Sequence, residues 1–138
     1  MTFAEHVSSL ATQHNVFVIV ETSLPPDGGA AFGPLRTIII APVIDETTYM
    51  VAMHELGHLI APGGLGGTAS NNLALSMCAL MDQEDAAWTW ARAHAMIWTD
   101  LMEHWAQWAR ETYRQTLESA VKQTYVRPAP AKKLSEWK

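Results

Sequence analysis

Met50-Val51-Ala52-Met53-His54-Glu55-Leu56-Gly57-His58-Leu59-Ile60 is the stretch that decides how this chain is read. Long apolar side chains surround a His-Glu-x-x-His pattern with no proline, which predicts a helix. Asp45 is a good N-cap for it, and Glu46 sits in the first turn, where the helix dipole favours a carboxylate. Ala61-Pro62-Gly63-Gly64 ends it after about Ile60. On such a helix His54 and His58, four residues apart, share one face, so their ring nitrogens can meet on one metal ion. Glu55 is turned about 100° further round. It is expected to reach a water on that metal, take its proton and pass it to a leaving amine. Imidazole suits zinc, and the same donors also accept manganese, cobalt or iron.

A catalytic zinc usually has three protein ligands and one open position. The metzincin pattern requires Gly at 61 and His at 64, but the chain has Ala61 and Gly64. Gly67-Thr68-Ala69-Ser70-Asn71 approaches a Gly-Thr-x-x-Asp zinc-peptidase pattern, with Asn71 where the Asp should be, and a neutral amide is a poor replacement. Glu84 lies between Leu80 and Ala87 on an apolar stripe, where an ionised carboxylate is costly unless paired. A metal would pair it. Glu84 is therefore the expected third ligand, with Asp85 next and Asp82 behind it.

The helical motif, taken with Glu84-Asp85-Ala86-Ala87-Trp88-Thr89-Trp90-Ala91, resembles the ImmA/IrrE-type zinc metallopeptidases, which are gluzincin-like. In that family a second helix reads Glu-x-x-Ala-x-x-Phe-Ala, and its Glu completes the zinc site. Trp90 stands here at the Phe position. The resemblance covers roughly residues 1–95, and its specific part is the two motifs. It implies a small zincin-like α+β domain, one zinc ion and hydrolysis of a peptide bond in a protein substrate, often a transcriptional repressor. The chain departs from the family after the second motif. Arg92-Ala93-His94-Ala95-Met96-Ile97-Trp98 reads as continuing helix where the family turns into a Leu-Leu-Met-Pro-like segment, and no helix-turn-helix segment is readable. Both departures count against the family's usual substrate.

Upstream, Thr2-Phe3-Ala4-Glu5 has the capping-box form and predicts a helix over residues 3–13. Val16–Val20 and Thr37–Ala41 read as strands. The turn-rich segment between them suggests a small antiparallel sheet, with a further short strand near Ala31-Phe32. Strand Thr37–Ala41 running into the motif helix also matches the family's strand-then-helix entry. Downstream, Pro62–Ala69 is a glycine-rich loop expected to border the cleft. A mainly helical part is then expected from about Asn71 to Thr124, with a break near Asp82 as one reading. Leu73, Met77, Leu80, Ala87, Ala91, Trp98, Leu101, Trp105 and Trp108 keep helical step along it, and Glu84 and His94 fall on the same stripe. The expectation is one domain over residues 1–126 and a flexible basic tail over 127–138.

The chain has 138 residues, 49% of them hydrophobic and 17% charged, enough for one domain with a real core. Disordered, collagen-like and Glu/Lys-rich coiled-coil chains are excluded. Residues 1–121 carry a charge balance of −9 and residues 122–138 one of +4. An acidic body argues against broad phosphate-backbone binding, so nucleic acid is unexpected unless the tail reaches it. Cys78 is the single cysteine, which excludes an internal disulfide and a thiolate-rich zinc site. It is read as a buried small apolar residue. The absence of a readable secretory signal or apolar span makes a cytoplasmic protein the default.

His94, His104, Tyr49 and Tyr113 are secondary candidates for stabilising an oxyanion near the metal. His6 and His14 look incidental. Five of the six tryptophans fall between residues 88 and 108. They are read first as packing and second as an exposed aromatic surface, with a homodimer through Trp98, Trp105 and Trp108 as the partner it would take. Two functions are weighed: a zinc metallopeptidase, and a non-catalytic module that uses zinc for its fold and the Trp surface for a partner.

Overall fold

The computed structural model describes residues 1–65 and 73–125. The fold is α+β. Its elements run α1 (Phe3–Gln13), β1 (Phe17–Val20), β2 (Gly29–Phe32), β3 (Thr37–Ile40), α2 (Glu46–Ile60), α3 (Leu73–His94) and α4 (Asp100–Tyr125). Thr2 caps α1, its hydroxyl accepting from the Glu5 N–H at 3.1 Å. Asp45 caps α2 in a reciprocal box: the Thr48 N–H donates to Asp45 Oδ1 at 2.9 Å, and Thr48 Oγ1 accepts from the Asp45 N–H at 3.1 Å.

The sheet differs from the expected antiparallel one. Its order is β1-β3-β2, with β1 parallel to β3 and β2 antiparallel to it. The physical reason lies in the segment that reads as a loop between two strands. Gly29–Phe32 is itself a strand, joined to β3 by a tight turn in which the Arg36 N–H bonds to the Gly33 carbonyl at 3.0 Å. The chain therefore reverses twice between β1 and β3, and those two strands point the same way. The short strand expected at Ala31-Phe32 is present within β2. Because β2 takes one side of β3, it becomes an edge strand, and its Gly29 lies against Val51 and Glu55 of α2.

Ile38 and Ile40 of β3, Val7 and Ala11 of α1, and Tyr49, Met53 and Leu56 of α2 form the centre of the core. Burial takes α2 almost whole, from Thr48 to Gly57. Tyr49 ties the core to the far end of the molecule. It stacks on Phe3, its hydroxyl lies 2.6 Å from His6 Nδ1, and it accepts from the Met96 N–H at 2.9 Å. Arg36, at φ 46°, donates to the carbonyls of His14, Asn15 and Leu59, so one guanidinium joins the ends of α1 and α2.

The helical part is two helices, and the single stripe expected through residues 98–108 is divided. No break occurs at Asp82, since α3 runs through it. The break falls between His94 and Asp100, where Thr99 caps α4 by accepting from the Met102 N–H at 3.2 Å. From that corner α4 folds back along α3. Arg92 is paired with Glu103 and, further out, Asp85 with Arg110. Cys78 is exposed rather than buried, because it faces out from α3. Among the described residues no helix is long and apolar enough to cross a membrane. The Gly67–Asn71 pattern and the expected tail over 127–138 lie outside the described residues.

Candidate metal centre

His54 and Glu55 come from the second half of α2 and His58 from its last turn, and Glu84 from the middle of α3. The two helices must approach closely for these side chains to meet. Gly57, inside the motif, makes that approach possible: a Cβ there would lie 2.5 Å from the Ala87 carbonyl oxygen and 3.0 Å from its Cα. The backbone of α3 occupies the space a side chain would need, one turn from Glu84. His54 and Glu55 are each only 8% exposed. The His54 ring is held flat against Trp88, with centroids 3.9 Å apart and an interplanar angle of 23°.

The three donors converge. His54 Nε2 lies 3.1 Å from Glu84 Oε2, His58 Nε2 lies 3.1 Å from Glu84 Oε1, and the two Nε2 atoms are 3.2 Å apart. Two nitrogens bound to one tetrahedral zinc at about 2.0–2.1 Å would be about 3.3 Å apart, so the spacing fits such an ion. His54, His58 and Glu84 are close enough to hold a metal ion.

Hydrogen bonding explains why this cluster calls for a cation. His58 Nδ1 is 3.0 Å from the Gly64 carbonyl, which can only accept. Nδ1 therefore carries a proton, and in the neutral ring Nε2 presents a lone pair. That lone pair faces a carboxylate oxygen and a second imidazole nitrogen. Acceptors held at this distance repel unless a positive charge lies between them, either a further proton or a metal ion. Gly64 is itself pressed against α2, where a Cβ would stand 2.6 Å from the His58 carbonyl oxygen.

The electrostatics follow the same pattern. Burial raises the Glu84 carboxyl, but hydrogen bonds and charge from His54 and His58 outweigh it and hold Glu84 at about 2. Burial lowers His58, and the contacts with Glu84 and Gly64 reverse this into a net rise. Glu55 is raised by its burial, despite the opposing charges of His54 and His58. His54 Nδ1 and Trp88 Nε1 are buried without a hydrogen-bond partner among the described residues.

A cavity of about 680 Å³ opens beside the cluster. Pro26, Asp27, Thr47, Met50 and Val51 line it with His54, Glu55, Glu84 and Trp88, and α4 supplies Trp105, Trp108, Ala109 and Tyr113. Of the secondary candidates, Tyr113 alone reaches this cavity. Its hydroxyl pKa is raised by burial and then by the Glu84 charge. Tyr49 is committed to the core. His94 stacks on Trp90, with its Nδ1 2.9 Å from that residue's carbonyl, and His104 packs edge-on to Trp105 on the surface.

Asp85, the next ligand candidate, is instead bonded to Arg110, and Asp82 is exposed. Trp98 sits in the α3–α4 corner, donating to Glu103 at 2.9 Å. The sequence reading gave Trp88, Trp105 and Trp108 no place at the site. Trp88, four residues beyond Glu84, carried the available signal, because i and i+4 share a helix face.

No family model, curated protein or solved structure matches this chain.

Proposed function

We propose that the chain is a zinc-dependent metallopeptidase with a zincin-like fold, of the kind its His-Glu-Leu-Gly-His motif resembles. The observation that carries this is the convergence of His54 Nε2, His58 Nε2 and Glu84 on one point, with the His58 tautomer set by Gly64 so that its lone pair faces inward. His54, His58 and Glu84 would hold the ion, at a cavity that His54 and Glu84 line. Zinc bound there supplies Lewis acidity for a water and for a peptide carbonyl. Glu55, buried at the cavity wall, would accept a proton from the attacking water and return it to the departing amine. The edge of β2, unpaired among the described residues and next to Glu55, offers backbone groups along which an extended peptide can lie.

Two measurements test the reading. Metal analysis should find one zinc per chain in wild type and in Asp85→Ala, and none in Glu84→Ala. Wild type loaded with zinc should cleave a mixed fluorogenic peptide library, and Glu55→Gln should keep its zinc but lose at least about 100-fold in rate. Equal cleavage by Glu55→Gln would refute hydrolysis by this site and leave a metal-stabilised binding module.

A further inference from the structure

We infer that the aromatic wall supplied by α4 is a side-chain subsite, and that the peptides this site takes carry a bulky apolar or aromatic residue beside the scissile bond. The inference rests on the peptidase reading of the same site.

Helix α4 has two working faces. Met102 and Ala106 are buried in the core, with Ala109 packed against it. Trp105 and Trp108 lie on the flank of that face and remain 41% and 53% exposed. Large apolar side chains rarely stay this open without a role when they line one side of a concavity. Both indoles line the cavity that also exposes His54, Glu55 and Glu84. They brace one another edge to face, with centroids 5.6 Å apart at 81°, so the wall is built before any ligand arrives.

Met50, Val51 and Pro26 line the same cavity, as does Tyr113, whose hydroxyl feels the Glu84 charge. A peptide with its carbonyl at the metal triad would bring a neighbouring side chain against this wall. The occupant is apolar because the groups aimed at it are indole faces, a thioether and aliphatic carbons. No Lys or Arg is among the described residues that line this cavity, so an acidic side chain held against the indoles would be desolvated without a partner. Aromatic rings fit best, since they add stacking to burial.

The test uses the full chain carrying Glu55→Gln, supplied with zinc so that nothing is hydrolysed. The probes are the blocked pentapeptides acetyl-Ala-Ala-Phe-Ala-Ala-amide, its Glu counterpart and the all-Ala parent. Affinity is measured by titration, and indole N–H signals are followed by NMR. The Phe peptide should bind about 10- to 100-fold tighter than the all-Ala peptide and shift the Trp105 and Trp108 signals, while the Glu peptide binds weakest.

Trp105→Ala with Trp108→Ala should abolish the Phe preference with the zinc content still one per chain, and Trp108→Phe should keep most of it. Equal affinities for the three peptides, or shifts confined to other tryptophans, would overturn the subsite. Zinc content of the same samples separates the two claims. Bound zinc without a Phe preference removes the subsite alone. A Phe preference in a chain that takes no zinc removes the peptidase and leaves an aromatic-peptide site.

Discussion

At the scale of single residues, Gly57 and Gly64 shape the cluster as much as His54, His58 and Glu84 do. Gly57 has no side chain because the backbone of Ala87 stands where one would be. The Gly57→Ala variant must push α3 outward and carry Glu84 away from the two imidazoles. We expect a loss of about 1–3 kcal/mol in stability from the overpacking, with weaker zinc binding in the same protein. Urea unfolding and zinc competition would check both. Unchanged zinc affinity would mean that α3 does not depend on this contact.

The three donors that converge were legible in the sequence. Spacing on a helix fixes which of its side chains point together, and a carboxylate on an apolar stripe demands a partner. The i, i+4 spacing from Glu84 put Trp88 on the same face of α3, but its stacking on His54 was not legible, because a contact between two helices leaves no local pattern. Nor was the Gly64 carbonyl, since backbone groups are the same at every position.

At the scale of elements, the corner between α3 and α4 decides what faces the cavity. Periodicity could not find it, because Trp98, Leu101, Trp105 and Trp108 stay in helical step across residues that are not helical. Thr99-Asp100 was the local signal: a Thr cap followed by an acid in the first turn. The corner is held by Glu103, which accepts from Arg92 at 2.7 Å and from the Trp98 indole at 2.9 Å, with the Arg92 guanidinium 5.7 Å from the Trp98 ring centre.

The Arg92 hydrogen bonds above all hold the Glu103 carboxyl at about 2, below its ordinary value of 4.5. A carboxyl lowered on folding stabilises the protein above its unfolded value and loses that contribution as pH falls toward its folded one. Wild type should therefore lose stability between about pH 4.5 and about pH 2 through this group. Because Glu103 is partly exposed, about 1 kcal/mol is expected after screening. Glu103→Gln should flatten that part of the acid limb in urea unfolding, and an unaltered limb would show that the corner carries none of it.

At the scale of the whole molecule, the cluster of His54, His58 and Glu84 links α2, the most buried helix, to α3, and α3 carries α4 through the corner. Binding to the folded chain alone must therefore appear as stability. Zinc at about 100 times its dissociation constant adds about 2.7 kcal/mol, or roughly 10 °C in Tm for a chain of this size. Wild type should lose that on chelation and recover it on adding zinc, while Glu84→Ala should melt at one temperature in both. A wild-type Tm indifferent to chelator and to zinc would argue that the triad holds no ion.

The α+β class, the capped motif helix and the three donors could all be read from the chain, because each depends on neighbours within a turn or two or on a residue type that burial makes costly. The sheet order, the corner and the walls of the cavity could not. They depend on which distant segments pack together. A loop that becomes a strand reverses the direction of its partners, and five residues between helices decide whether the two tryptophans of α4 line the cavity. Those outcomes are set by long-range burial and backbone pairing, which leave no period in the sequence.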